Sequence, residues 1–268
     1  MVHIKNLLLV ILIGMFIISC NNTNKPTKDA DAFDDIEVEN TITTALDFPM
    51  PSAVEVVKLL NETGAGFIYD ATNPPENVEN YLSYKQKAIN LGIYGADLSY
   101  TITYGKKNET AAYLDNFVQL IEDLEISNLD KEFFLEVQNN LDEKDSLIII
   151  VKKAIYDTHE YLKETNKDEI ALFALSGSWV ESLYLVGTTV KYAQNKKPLL
   201  DLLLSHKKDL NSIITLMESH KDNKDFKDLY NQLNEINDLF TKIEGKITDY
   251  RRAEDLKDKI IEFRNTLI

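Results

Sequence analysis

The chain has 268 residues, 29 Lys plus Arg against 44 Asp plus Glu, four His and a single Cys. One Cys excludes an intrachain disulfide framework and leaves little from which to build a Cys-based zinc site. A formal charge of -15 and a pI near 4.7 exclude the basic surface that nucleic acid requires, and 44% hydrophobic with 27% charged residues is the make-up of a folded chain.

The chain opens with MVHIKNLLLVILIGMFIISC. Lys5 precedes an apolar run from Leu7 to Ile18, which has the length of a signal h-region and is short for a membrane span. The run ends on Ile17-Ile18-Ser19-Cys20: branched apolar residues, a small residue, then the only Cys. This resembles a bacterial lipobox. The resemblance implies cleavage before Cys20 and a diacylglyceryl thioether on its sulfur, which removes the thiol from nucleophilic or ligand roles. Acyl chains contribute ~0.8 kcal/mol per buried CH₂, so two or three of them hold a protein stably on a membrane. An acidic body does not adhere to anionic lipid by charge, so the lipid must do the anchoring. Residues 1–19 therefore read as a signal peptide. Residues 20–48 read as the lipidated Cys and a flexible tether, made acidic by Asp29, Asp31, Asp34, Asp35, Glu37 and Glu39. Residues 49–268 read as one all-helical domain. The expected location is the bacterial cell envelope, on the outer membrane, with the membrane as a partner through the N-terminal lipid.

Proline placement carries the fold class. Pro26, Pro49, Pro51, Pro74, Pro75 and Pro198 lie at segment edges, and none falls between Glu76 and Lys197. Ser52-Ala53-Val54-Glu55 matches a capping box, and Gly64 and Gly66 would end the helix it starts. Pro74-Pro75 predicts the opening of a helix over 76–104, stopped by Gly105. Apolar residues at three-or-four spacing predict further helices over 109–124, 129–140, 145–165, 168–194, 198–221 and from 225 to the end, the last running through Gly245. No alternating strand pattern appears. The expected fold is all-α, an up-and-down multi-helix bundle.

Two helices differ from the rest. Between Ala88 and Tyr104 the only charge is Asp97, and between Ile170 and Val190 the only charge is Glu181. A helix apolar on every side is central to a bundle or spans a membrane. The second is long enough to span, but a central acid is costly in lipid, and a central place in a bundle explains both. The two also echo each other. Gly92-Ile93-Tyr94 and Leu98 lie over Gly177-Ser178-Trp179 and Leu183 at a common offset of 85 residues, with Asp97 and Glu181 one position out of register. This pattern suggests a duplicated helical hairpin, with Gly92 and Gly177 where helices approach closely.

The runs LGIYGADLSY, from Leu91 to Tyr100, and GSWVESLY, from Gly177 to Tyr184, resemble a family of all-helical lipoproteins of Gram-negative bacteria that carries no assigned activity. The resemblance covers most of the chain from about Pro49. It supports fold and location and supplies no catalytic residues.

The sequence lacks the metal, phosphate-loop and nucleophile motifs HExxH, GxxxxGK[ST] and GxSxG, and no cofactor is expected. His159, His206 and His220 read as solvated surface residues. What remains is an aromatic and acidic set on the central helices: Tyr94, Asp97, Tyr100, Trp179, Glu181 and Tyr184. A buried carboxylate must be paired, hydrogen-bonded or protonated, and Arg251 and Arg252 are candidate partners. The same six residues are the candidate lining of a pocket for a polar or cationic small ligand. The expected function is a non-enzymatic binding or interaction protein, its protein or small-molecule partner unnamed by the sequence. The alternative is an envelope enzyme or small-ligand carrier working through Asp97 and Glu181.

Overall fold

The computed structural model describes residues 65–127, 129, 131–243 and 250–268. The signal segment, Cys20, the tether and the capping box at Ser52 lie outside the described residues. Among those described, nine α-helices and no strand occur. They are α1 Tyr84–Thr103, α2 Lys107–Asp123, α3 Lys131–Asn140, α4 Lys144–Glu164, α5 Asp168–Val190, α6 Lys197–Ser205, α7 Lys207–Met217, α8 Lys224–Ile243 and α9 Tyr250–Arg264. Ahead of α1, residues 65–83 form a strap with two 3₁₀ turns, Tyr69–Ala71 and Pro75–Asn80.

Contacts along the helices fix their directions. Lys87 pairs with Asp123 at 2.5 Å and Thr110 bonds Thr101 at 3.2 Å, so α2 returns along α1. Phe226 stacks on Phe173 and Phe240 lies beside Trp179, so α8 runs parallel to α5. Glu181 meets Arg264 and Gly187 abuts Lys257, so α9 runs antiparallel to α5. With the short connections, α1, α3, α5 and α8 run one way, and α2, α4, α6–α7 and α9 run back. The bundle is up-and-down, as the sequence predicts.

α1 and α5 lie at its centre, parallel and in their most extensive contact with each other. A Cβ on Gly92 would overlap the backbone carbonyl of Ala174, and a Cβ on Gly177 would overlap that of Ile89. The 85-residue offset carries Gly92 onto Gly177 and Ile89 onto Ala174. The two close approaches are therefore one contact seen from both sides of a local twofold, as in a symmetric interface. Each central helix also heads an up-down-up-down set, α1 to α4 and α5 to α9, with α6–α7 counting as one leg. By length and composition α5 alone among the described helices is apolar enough to cross a membrane, but 78% of its apolar window is packed inside the bundle.

Three helix boundaries differ from the sequence reading. α1 begins at Tyr84, not at Glu76, because Ser83 rather than Pro75 opens it. Gln86 N–H donates to Ser83 Oγ at 3.2 Å and Ser83 N–H donates back to Gln86 Oε1 at 3.1 Å. The run over 198–221 breaks at His206, whose ring pairs with the Asp209 carboxylate at the start of α7. The run from 225 folds back: α9 packs beside α8, and Arg252 donates to the Lys242 carbonyl at 2.7 Å.

Candidate functional site

The lone acids of the two central helices meet. Asp97 and Glu181 are both fully buried and near enough that each acts on the other's protonation. Parallel packing with Gly92 level with Gly177 brings them to the same height, which is why the one-position slip in the echo still leaves them adjacent. Glu181 is held from its other side by Arg264 in a bidentate fork, Nε to Oε2 at 2.8 Å and an Nη to Oε1 at 2.9 Å. The guanidinium lies over the Tyr184 ring, 4.2 Å from its centroid. The partner of Glu181 is thus Arg264, not Arg251 or Arg252.

Asp97 has a different neighbour. Its Oδ2 accepts the backbone N–H of Asn73, in the strap, at 3.0 Å. Its Oδ1 has no donor to accept from. A fully buried carboxylate oxygen with no donor is better satisfied when the group carries a proton. Burial, then the adjacent Glu181 charge, push the Asp97 carboxyl well above its ordinary range. Burial also raises Glu181, and Arg264 opposes it. For Arg264 burial acts downward, and Glu181 outweighs it and holds the guanidinium charged. These directions favour a proton on Asp97, an ionised Glu181 and a charged Arg264, a set whose charges sum to zero. This satisfies the rule that buried charge must be paired.

Around this knot the buried polar residues fasten the strap. Tyr94 donates to the Pro74 carbonyl at 2.9 Å, Tyr113 to Thr72 Oγ1 at 2.6 Å, and Asn116 to the Pro75 carbonyl at 2.8 Å. Tyr100 Oη accepts the Ile68 N–H at 3.1 Å. Asn73, fully buried, bridges Tyr81 and Asn90, and Asn90 reaches the Leu267 carbonyl at 3.1 Å. Burial raises the pKa of Tyr81, Tyr94, Tyr100 and Tyr113, so these phenols keep their protons throughout the physiological range.

Of the six candidate residues, Glu181 and Tyr184 meet at Arg264, and Asp97 is held by the strap. Tyr94 and Tyr100 turn to the strap. Trp179 packs toward Phe240 on α8, and its indole N–H finds no partner among the described residues. His206 is buried against Asp209, not solvated, and His159 lines a small apolar cleft of about 70 Å³ between α1, α2, α4 and α5, where burial lowers its pKa. Arg264 escaped the sequence reading, although Leu256, Lys257, Ile260, Phe263 and Arg264 share one face of α9 at heptad spacing. Among the described residues no three His, Cys, Asp or Glu converge as a metal site.

Comparison with known proteins returns no match: no family model, no curated protein and no solved structure is significantly similar to the chain.

Proposed function

We propose that the chain is a lipoprotein of the bacterial cell envelope, held on the outer membrane through Cys20, whose helical domain binds a ligand or partner and performs no chemistry. The observation that carries the anchoring is the placement of the only Cys at the end of the apolar leader, directly before an Asn-rich polar stretch. What supports binding rather than catalysis is the use made of the acids. Asp97 and Glu181 are spent on the strap and on Arg264, and neither lines the small apolar cleft at His159 or the larger cleft beside the strap. A reading with substrate or ligand at these acids needs an opening beside two fully buried carboxyls. The knot instead holds together the first and last described segments of the domain, the strap and the end of α9.

Cys20→Ala tests the anchoring. The variant is expected to stay unlipidated and to leave the membrane fraction, followed by acyl labelling and cell fractionation. Normal labelling of the alanine variant would overturn the reading.

A further inference from the structure

We propose that the end of the bundle where α1 and α5 finish is a docking face for the anionic phosphate surface of a phospholipid bilayer. The inference rests on the reading of the chain as a lipid-anchored protein and adds how the domain sits against that membrane. The chain leading from Cys20 enters the described domain at Ala65, whose carbonyl accepts from Tyr104 Oη at 3.5 Å, at the C-terminal end of α1. Phe67 packs on the Tyr100 and Tyr104 rings and fixes the entry there. The anchored end and the proposed face therefore coincide.

Charge is not spread evenly over this acidic chain. Residues 98–108 and 182–200 hold the last turns of α1 and α5 and the passages into α2 and α6, and they contain five Lys and no Asp or Glu. The five are Lys106, Lys107, Lys191, Lys196 and Lys197, and the 85-residue offset carries Lys106 onto Lys191. All but the half-buried Lys106 are exposed. Because α1 and α5 run parallel and level, the two passages lie side by side at one end of the bundle. Lys196 reaches Glu254 at 3.8 Å, so the start of α9, with exposed Arg251, adjoins them. The patch ends at the α3–α4 connection, where Asp142 pairs with Lys107. At the opposite end the balance reverses: over 122–127 and 163–169, Glu122, Asp123, Glu125, Glu164, Asp168 and Glu169 stand against Lys163 and Lys167. α5 has 23 residues, a length of roughly 35 Å. The acidic end is thus several times farther off than the ~10 Å over which salt screens charge, and an anionic surface at the tether end meets the lysines first.

The contact chemistry suits a headgroup layer. Lys107–Asp142 and Lys197–Asp201 are exposed ion pairs, which contribute little to stability and exchange readily for lipid phosphate. Each cation at an anionic membrane strengthens binding roughly fivefold, and an acyl anchor turns such weak contacts into intramolecular ones. Tyr69 and Tyr192, 62% and 65% exposed, stand beside the lysines. Tyrosine favours the membrane interface, with its ring toward the acyl chains and its hydroxyl in water. Lys106 lies 4.9 Å and 5.0 Å from the Phe67 and Tyr69 ring centroids and donates to Tyr69 Oη at 3.1 Å, which joins cation and aromatics into one surface. An acidic protein would meet the same lysines. The bilayer is the better fit because the chain from Cys20 arrives at this end.

The test is lysine footprinting of the full lipidated chain in phosphatidylcholine vesicles with and without phosphatidylglycerol, using an amine-reactive reagent and mass spectrometry. Lys107, Lys191, Lys196 and Lys197 are expected to react roughly fivefold more slowly when the anionic lipid is present, and to recover at high salt. Lys163 and Lys221, exposed at the opposite end, should react alike in both vesicles. Lys191→Glu combined with Lys196→Glu should abolish the protection of Lys107 and Lys197. Equal reactivity in the two vesicles, equal protection of both ends, or protection that survives in the double variant would overturn the proposal. So would equal protection by millimolar pyrophosphate in phosphatidylcholine vesicles, which would make the patch a site for a soluble anion. Acyl labelling of the same sample separates the two levels. A lipidated protein without protection sinks the docking face and leaves the anchoring standing, whereas a chain that carries no acyl group overturns both.

Discussion

The two central helices are near copies in packing and opposites in electrostatics. α1 and α5 each bring a glycine to the other's backbone and each place one acid at the same level of the core. The α5 acid, Glu181, is ionised and clamps α9 through an arginine fork. The α1 acid, Asp97, is driven toward its neutral form by burial and by the Glu181 charge, and clamps the strap through a backbone N–H. One buried cation neutralises one carboxylate, so the second acid stays buried only with its proton. The difference shows that equivalent positions in a repeated packing unit divide one electrostatic task between them, and that the division follows which neighbour supplies the cation.

The largest expected effect breaks the α5 side. Glu181→Gln leaves Arg264 charged and uncompensated in the core, and removing one member of a buried pair costs ~3–5 kcal/mol. That is a large share of a typical ~5–15 kcal/mol stability. Urea unfolding at pH 7 should show the loss, and a variant as stable as the parent would mean that the fork is not needed.

Next in size is the crossing that makes the helices equivalent. Helix propensity favours Gly→Ala by up to ~1 kcal/mol, whereas overpacking costs ~1–3 kcal/mol. Gly92→Ala and Gly177→Ala each drive a methyl into a backbone carbonyl, so both should lower the melting temperature. Gly95→Ala is the contrast. Its Cβ would sit 3.4 Å from the Phe117 ring, an adjustable side chain, and the variant should be neutral or stabilised. If all three variants gain stability, the close approach is not real.

Much of this was legible in the sequence. The uncharged runs around Asp97 and Glu181 mark the central helices, and the paired glycines mark the crossing. The strap was not legible. Its residues, Asn73 to Asn80, carry Pro and Glu in an order that also opens a helix, and only the tertiary hydrogen bonds of Tyr94, Asp97 and Asn116 decide against that. The break at His206 was hidden in the same way, because the apolar spacing of α6 continues into α7 and only the burial of His206 with Asp209 marks the turn. Arg264 lies 83 residues from Glu181, and nothing local links them.

The smallest effect at low pH, and the sharpest test, is on the α1 side. Asparagine reproduces protonated Asp97, with an oxygen for the Asn73 N–H and an N–H for Glu181. Asp97→Asn should therefore match the parent near pH 4 to within ~1 kcal/mol, the scale of a single hydrogen bond. Because the folded pKa of Asp97 is raised, the folded parent keeps a proton that the unfolded chain has released above the ordinary carboxyl pKa of ~3.9. Parent stability must then fall, relative to the variant, as pH rises through that window. The measurement is the unfolding free energy of parent and Asp97→Asn from pH 4 upward. The shared proton predicts a difference that grows in favour of the variant by ~1.4 kcal/mol per pH unit until Asp97 ionises. A difference independent of pH, or one that grows in favour of the parent, would contradict it.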